Sequence, residues 1–342
     1  MTRAQERRRH RARQKAAKKG KLPPSQFIEL TSPINDRFEE FIKGNASRCE
    51  RVVKAGSGRG KSLVICGAGP SLADHAHEHC AGADQVWGCN SALQWLVDNG
   101  HKVTHGFTID QTLHMLSEWF DAPDVEYLVA SSCHTSLTDY LLSKGRRISF
   151  FHNYVGLRHD PVEVDGTPMA YEDYLYSSLY SGTVGETVRV GSGLNSVTRA
   201  IDLAWYMGFE SVKVLGADCS FQFSEPCPET PDGSPEHIRW LTECTTMHAD
   251  GGHALASEAT PVTLCGEIDG RHWETKPDLM ISAVWLAKMA QALPNLELIG
   301  DTLPNALIGK DDAYLDTLPH LTGPDGLPHQ FDINSHMAYL QP

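Results

Sequence analysis

The 342-residue sequence lacks the features that mark several large classes of protein. No apolar run approaches the ~20 residues that a helix needs to span a bilayer, and no apolar stretch follows the charged first residues as it would in a secretory signal. The nine cysteines are odd in number and form no CxxC pair, and several lie within apolar runs. We therefore expect a cytoplasmic protein with no membrane partner, whose cysteines are buried thiols rather than disulfides or zinc ligands.

Basic residues are scarce outside the first 21 positions. Residues 1–21 contain ten of the 30 lysines and arginines and one of the 43 acidic residues, a net charge of +9. The remaining 20 basic and 42 acidic residues give the rest of the chain a net charge of −22. This strongly negative charge outside residues 1–21 argues against a general nucleic-acid-binding groove on the rest of the chain. For residues 1–21 two interpretations stay open: a segment that binds nucleic acid or another polyanion, or a solvated tail without a specific partner.

Short apolar segments alternate with amphipathic helical patterns through most of the chain. The predicted strands are 62–67, 85–90, 103–109, 125–131, 147–153, 211–218 and 296–300. Apolar strands that are each followed by a helix are typical of a parallel sheet covered on both faces. The sequence thus predicts an α/β, Rossmann-like fold with a mainly parallel sheet and helices on both faces. Loop-rich insertions at 154–192 and 219–275 are expected over the carboxyl ends of the strands.

The same patterns divide the chain into segments. These are a basic tail expected to be disordered (1–25), a helical arm and connector (26–60), the Rossmann-like domain (61–310) and an irregular C-terminal extension (311–342). In the arm, Asn35 or Asp36 is the predicted N-cap of a helix and Gly44 is its predicted end.

Two glycine-rich loops flank the first predicted strand. The first, AGSGRGKS (55–62), nearly matches a P-loop, but a strand follows it where a P-loop needs a helix, so we interpret it as a connector. The second, GAGPS (67–71), lies between a strand and a helix, where free N–H groups and a serine hydroxyl would face an anion. A tight turn without a ligand is the alternative. Because the loop is not GxGxxG, NAD is not the favoured ligand.

Three successive segments carry a resemblance to a known family. "VICGAGPSL" (64–72), "VWGCNSAL" (86–93) and "GFTID" (106–110) resemble the MptE-like family, which includes archaeal 6-hydroxymethylpterin diphosphokinase and the motility accessory factors of flagellin glycosylation. That family is similar to bacterial CMP-sialic-acid-dependent sialyltransferases. Later blocks at 190–221, 248–254 and 273–307 extend the resemblance in the same order. It implies a Rossmann-like fold and group transfer from a nucleotide donor.

The resemblance also assigns roles to individual residues. The residues implied to surround the donor's phosphate or ribose are Gly67, Ala68, Gly69, Pro70 and Ser71. Asn90 would contact the nucleotide, and Ser192 and Gly193 would line the pocket for its base or ribose. Asp218 would bind a ribose hydroxyl or a metal-bound phosphate. Asp110 stands where the sialyltransferases have Asn, which leaves the identity of the donor open because an ionised Asp cannot donate a hydrogen bond.

Transfer to an acceptor hydroxyl needs a base and relief of charge on the leaving phosphate. His248 and His253 flank ADGG in a polar loop and are the first candidates for the base, with His152 the second choice. Asp110 and Asp218 are candidates for a base or a Mg²⁺ ligand.

Three functions stay open for this sequence. The first is a glycosyltransferase that uses a CMP- or NDP-sugar donor. The second is an ATP-dependent diphosphokinase, which would require Mg²⁺. The third is a non-catalytic nucleotide-binding scaffold whose N-terminal arm binds a polyanion.

Overall fold

An eight-stranded, entirely parallel sheet forms the centre of the protein in the computed structural model. The structure describes residues 37–111, 122–155, 157, 159–181, 189–191, 195–223, 235–236, 239, 245–246, 249, 264–275, 277–311 and 314. The strands of the sheet are β1 (Ser62–Cys66), β2 (Gln85–Cys89), β3 (His105–Thr108), β4 (Glu126–Ala130), β5 (Arg147–Asn153), β6 (Arg189–Val190), β7 (Ser211–Leu215) and β8 (Leu296–Leu298). Seven of them coincide with predicted strands, and only the two-residue β6 was not predicted.

Helices connect these strands and bury them. They are α1 (Phe38–Ala46), α2 (Leu72–Cys80), α3 (Ala92–Asp98), α4 (Thr135–Ser143), α5 (Tyr171–Tyr176), α6 (Ser196–Met207), α7 (Pro277–Ala292) and α8 (Leu303–Leu307), with a π-helical turn at Ser177–Ser181. In β1, the residues from Leu63 to Cys66 are all at most 2% exposed. Successive side chains point to opposite faces of a strand, so the sheet is covered on both faces there. The predicted α/β, Rossmann-like fold is confirmed.

The order of the strands creates a switch point between β1 and β7. Along the sheet the order is β8-β7-β1-β2-β3-β4-β5-β6. The chain therefore moves outward from β1 to β6, returns through α6, and places β7 on the other side of β1. Loops that leave neighbouring strands in opposite directions open a crevice at their carboxyl ends, and ligands of open α/β sheets bind in such crevices.

The predicted end of the first helix requires correction. Helix α1 runs through Gly44 to Ala46 instead of ending at Gly44. A Cβ at Gly44 would lie 2.8 Å from Thr135 Cγ2, so this glycine allows α1 to approach α4 closely and does not end the helix. The predicted N-caps Asn35 and Asp36 lie outside the described residues.

The segment predicted as loop-rich, 154–192, contains regular structure. It holds a two-stranded antiparallel hairpin (Val162–Val164 with Thr167–Met169), α5, the π-helical turn and β6. Two further antiparallel pairs join Gln222–Phe223 to Thr245–Thr246 and Leu264–Ile268 to Arg271–Thr275. An amphipathic helical pattern at 111–120 lies almost wholly outside the described residues. In the part of the chain that is described, no helix has both the length and the apolarity needed to cross a bilayer.

The first glycine loop is a connector, as predicted. It precedes β1 and therefore lies at the amino ends of the strands, whereas the switch-point crevice lies at their carboxyl ends. The Gly58 N–H donates to Met207 O at 2.8 Å, and a Cβ at Gly58 would lie 2.7 Å from the Phe209 ring. The loop is thus packed against the C-terminal end of α6. It is followed by β1 and not by a helix whose N-terminus could bind a phosphate.

Candidate functional site

A cavity of about 260 Å³ opens at the switch point between β1 and β7. Five segments meet there: the glycine turn after β1, the loop after β7, the turn after β2, the start of α6 and the first turn of α7. The lining residues are Gly67, Ala68, Gly69, Cys89, Asn90, Ser91, Asn195, Ser196, Val197, Gly216, Ala217, Asp218, Cys219, Ser220 and Leu279. The structure therefore brings together the glycine turn, Asn90 and Asp218, which the sequence had placed at one site.

The glycine turn is pressed against the loop after β7. The Gly67 N–H donates to Leu215 O at 2.8 Å, and the Gly69 N–H donates to Gly216 O at 2.9 Å. A Cβ at Gly67 would lie 2.5 Å from Gly216 O, and Gly216 itself has a φ of +61°. Glycine is required at these points because the two backbones touch. The expectation that the N–H groups of this turn are free for an anion is wrong for Gly67 and Gly69, which use them within the protein.

The carboxylate of Asp218 occupies the N-terminus of α2. It accepts a hydrogen bond from the Ser71 hydroxyl at 2.9 Å, and the Ser71 N–H lies 3.3 Å from each of its oxygens. Asp218 is 3% exposed. Burial raises the pKa of Asp218, while the bonds from Ser71 lower it and the nearby charge of Asp74 raises it, with a net upward shift.

Ser71 is the N-cap residue of α2, but its side chain makes no cap bond to the helix. The carboxylate of Asp218 lies there instead, where its negative charge complements the positive end of the helix dipole.

Asn90 presents a buried polar atom without a partner. It directly follows β2 in the left-handed conformation, with a φ of +49°. Its backbone N–H donates to Phe107 O at 3.1 Å and its Nδ2 donates to Ser196 Oγ at 3.1 Å. Its Oδ1 is buried and has no hydrogen-bond partner. Buried polar atoms in native proteins are nearly always paired, so an unpaired oxygen on a residue that lines the cavity is unusual.

The comparisons with known proteins place this chain in a family. Residues 36–223, more than half of the chain, match the family described as "6-hydroxymethylpterin diphosphokinase MptE-like". The chain belongs to the MptE-like family. None of the curated proteins matches the sequence.

Two solved structures are similar to this MptE-like chain. One is the MAf glycosyltransferase from Magnetospirillum magneticum AMB-1, with 12% identity and a TM-score of 0.49 over 83% of this chain. The chain spans 42% of that protein's length. The other is a mammalian sialyltransferase in complex with Gal-beta-1-3GalNAc-ortho-nitrophenol, with 12% identity and a TM-score of 0.30. That match covers 80% of this chain and 82% of the sialyltransferase.

The MptE-like match also includes the start of α6, which contributes residues that the sequence analysis did not assign to the site. Asn195 caps α6, because its side chain accepts a hydrogen bond from the Thr198 N–H at 2.9 Å. Asn195 and Ser196 both line the cavity. An Asn just before an amphipathic helical run is a recognisable N-cap signal, so the sequence held the information for the turn. It could not show that this turn faces Asn90.

The predicted catalytic residues are only partly placed. Asp110 follows β3, at the carboxyl ends of the strands, but it does not line the cavity. Its N–H donates to Thr108 Oγ1 at 3.1 Å. His248, His253, Ser192 and Gly193 lie outside the described residues.

One described residue does connect the loop that carries the two histidines to the site. The N–H of Ala249, the neighbour of His248 in sequence, donates to Ala68 O at 2.9 Å. The polar loop thus reaches the glycine turn at this point.

His152 belongs to a separate buried network in this MptE-like protein. Its ring is 0% exposed, with Nδ1 2.8 Å from Ser131 Oγ and Nε2 3.0 Å from Glu172 Oε1. Glu172 also accepts the N–H groups of Val155 at 2.7 Å and Leu157 at 2.8 Å. Burial raises the pKa of Glu172, but His152 and the two N–H groups outweigh it, so the pKa is lowered. Both ring nitrogens lie within 3.0 Å of protein oxygen atoms and the ring is fully buried, which argues against His152 as the base.

The described residues contain no group of three His, Cys, Asp or Glu side chains arranged to hold a metal ion. Among the described residues that line the cavity, Asp218 is the acidic one.

Proposed function

We propose that this chain is a nucleotide-dependent group transferase that binds its donor at the switch-point cavity. The observation that carries the proposal is the convergence of the glycine turn, the buried Asp218 and the unpaired Asn90 Oδ1 on one crevice. Open α/β sheets bind nucleotides at such crevices. Membership of a family described by a diphosphokinase supports transfer chemistry.

Within this class, we favour a glycosyltransferase that uses a CMP- or NDP-sugar. Asp218 places a negative charge at the N-terminus of α2. Because like charges repel, a donor with one or two phosphates is easier to accommodate beside it than a triphosphate. In this reaction the acceptor hydroxyl attacks the sugar carbon, its proton passes to a base, and the nucleotide leaves with the bonding electrons.

The roles of individual residues follow from this reaction. His248 and His253 are the proposed bases, and the bond from Ala249, the neighbour of His248 in sequence, to Ala68 on the cavity wall supports this proposal. Asp110 is the alternative base. Ser192 and Gly193 are proposed to contact the base or ribose of the donor.

The diphosphokinase alternative rests on the description of the family. In that case ATP would be the donor, Mg²⁺ would neutralise its phosphates, and Asp218 or Asp110 would help to hold the ion.

A thermal-shift panel on the full chain tests these functions. At a ligand concentration of 100 times Kd, binding stabilises the folded state by about 2.7 kcal/mol, which corresponds to a Tm increase of roughly 5 °C. An increase with CMP or UDP in the absence of metal supports the glycosyltransferase. An increase with ATP only when Mg²⁺ is present supports the diphosphokinase. No increase with any nucleotide contradicts the proposal.

Two further proposals concern partners and location. We propose that residues 1–21, with their charge of +9, bind a polyanion such as nucleic acid. We also propose a cytoplasmic location, because Cys66, Cys89 and Cys133 are buried free thiols of the kind that reducing compartments preserve.

A further inference from the structure

We propose that Cys66 and Cys80 form a site of reversible oxidation, at which a hydroperoxide converts the two thiols into a disulfide that ties α2 to β1. The site joins the two ends of one segment, because Cys66 is the last residue of β1 and Cys80 is the last residue of α2. The glycine turn lies between them. The proposal concerns a modification of the chain and does not depend on the proposed function.

The two thiols are in contact inside the protein. Cys66 Sγ and Cys80 Sγ lie 4.0 Å apart, and the two residues are 0% and 4% exposed. Both are free thiols in the structure. The sulfur atoms of a disulfide are about 2.05 Å apart, so closure of the bridge requires a movement of roughly 2 Å.

The last turn of α2 is the part that can make this movement. Cys66 is held in place, because its strand pairs with β2 on one side and with β7 on the other. The buried residues of α2 are Leu72, Ala76 and Cys80, which form one narrow stripe along the helix. After the helix, a Cβ at Gly82 would meet no atom within 4 Å, so the following chain is not held by packing there. The end of α2 can therefore shift towards β1.

The contact also makes Cys80 the thiol that is oxidised first. The hydrogen bond from Cys66 lowers the pKa of Cys80 and outweighs the opposite effect of burial, whereas the bond to Cys80 and burial raise the pKa of Cys66. The thiolate is the form of cysteine that reacts with oxidants. Cys80 directly precedes Ala81, which is exposed, so solvent reaches this end of the helix.

The reaction uses one hydroperoxide for each disulfide. The Cys80 thiolate attacks an oxygen of hydrogen peroxide, the O–O bond breaks, the sulfur becomes a sulfenic acid, and the departing hydroxide takes a proton and leaves as water. The Cys66 sulfur then attacks the Cys80 sulfur. The S–S bond forms, the S–O bond breaks, and the oxygen leaves with the proton of Cys66 as a second water. A small thiol reverses the bridge by exchange, as in the transient disulfides of reducing compartments.

The bridge should stabilise α2 on the sheet. It closes a ring over residues 66–80, 15 residues that include the glycine turn and all of α2. A ring of this length restricts the unfolded chain, and we expect the Tm of the oxidised protein to rise by roughly 5 °C. Because the bridge also prevents α2 from detaching at its end, amide hydrogen exchange in α2 should slow by about tenfold or more.

The test oxidises the full chain with hydrogen peroxide, blocks the remaining thiols with iodoacetamide and maps disulfides by mass spectrometry without reduction. We expect a peptide pair that joins Cys66 to Cys80 and disappears after treatment with dithiothreitol. The higher Tm and the slower exchange in α2 should accompany this peptide pair and be reversed with it. The mapping uses the unmodified chain and does not require any variant to fold.

The variant Cys80→Ser assigns these effects to the pair. It leaves Cys66 without its thiol partner, so peroxide should no longer raise the Tm. Cys133→Ser is the matched control, because Cys133 is also buried but its thiol lies 3.8 Å from Thr108 O, an acceptor that a serine hydroxyl can keep. We expect this control to form the bridge and to show the same Tm increase as the wild type.

Four outcomes would overturn the proposal. The first is the absence of the Cys66–Cys80 peptide pair at a peroxide concentration that oxidises other thiols of the chain. The second is a bridge from Cys66 to Cys89, the last residue of the neighbouring β2, in place of one to Cys80. The third is an equal Tm increase in Cys80→Ser and the wild type. The fourth is a bridge that forms but changes neither the Tm nor the exchange of α2.

Discussion

Replacing Gly69 with alanine should disrupt both the stability of the protein and its site. A Cβ at this position would overlap the carboxylate of Asp218 and lie 2.8 Å from Gly216 O. Because Gly216 O belongs to the backbone, it cannot move away cheaply. The carboxylate of Asp218 must therefore shift, and it then loses its bond from the Ser71 hydroxyl.

The magnitude follows from two contributions. Insertion of a methyl group into a packed site costs about 1–3 kcal/mol, and loss of a hydrogen bond to a buried charged group costs about 1.5–3 kcal/mol. Together they predict a loss of about 2.5–6 kcal/mol in the free energy of unfolding. For a chain of this size, roughly 2 °C of Tm corresponds to each kcal/mol, so the Tm should fall by about 5–12 °C.

The assay is differential scanning fluorimetry of the full chain with and without CMP, UDP or Mg²⁺–ATP. Gly82→Ala is the matched control, because a Cβ at Gly82 meets no atom within 4 Å and its φ is not positive. We expect this control to keep its Tm or to gain slightly from a stiffer unfolded chain. We also expect Gly69→Ala to lose the nucleotide-induced shift. If the two variants share one Tm and one response to nucleotide, the packing argument for the glycine turn is wrong.

Three further predictions concern other parts of the chain. Lys61→Ala should change nucleotide affinity less than about twofold in calorimetry, since Lys61 is exposed in the connector before β1; a hundredfold loss would restore a P-loop function. Glu172→Gln should lower the free energy of unfolding in urea by about 3–5 kcal/mol, because it leaves His152 without its buried charged partner. The folded pKa of Glu172 is lowered, so its carboxylate stabilises the protein above its unfolded pKa of about 4.3, and this stabilisation disappears as the pH falls through the folded pKa. If the free energy of unfolding of the wild type in urea falls no more than that of Glu172→Gln as the pH is lowered below about 4.3, this prediction is wrong. Deletion of residues 1–21 should preserve nucleotide binding but weaken binding to heparin or DNA and flatten its salt dependence, and an identical salt slope with and without the segment would reject the polyanion proposal.

The main sheet could be predicted from the sequence because its strands are buried on both sides. A strand such as β1 is a continuous apolar run followed by Gly67, and this signal is strong. The two-residue β6 has no such signal, because it exists only through its pairing with the end of β5. The helix end predicted at Gly44 was wrong because tertiary packing against Thr135 determined the role of that glycine.

The residues of the candidate site could be predicted from the sequence, but the hydrogen bonds between them could not. The glycine turn, Asn90 and Asp218 each follow a strand, and carboxyl ends of parallel strands share one edge. Sequence spacing could not show that β7 lies directly beside β1, and this adjacency is what brings Asp218 to Ser71. The bond between Ser131 and His152 depends in the same way on the pairing of β4 with β5.

The contact between Gly67 and Gly216 joins positions 149 residues apart in sequence. During synthesis the first strands emerge and can pair in order long before β7 leaves the ribosome, since domains begin to form while the chain is still growing. The nascent protein therefore holds a partial sheet whose β1 edge is open, and such an edge invites pairing with other chains. Insertion of β7 closes that edge and creates the crevice in one event, so a chain interrupted before residue 211 would be prone to aggregate and would have no place for a nucleotide.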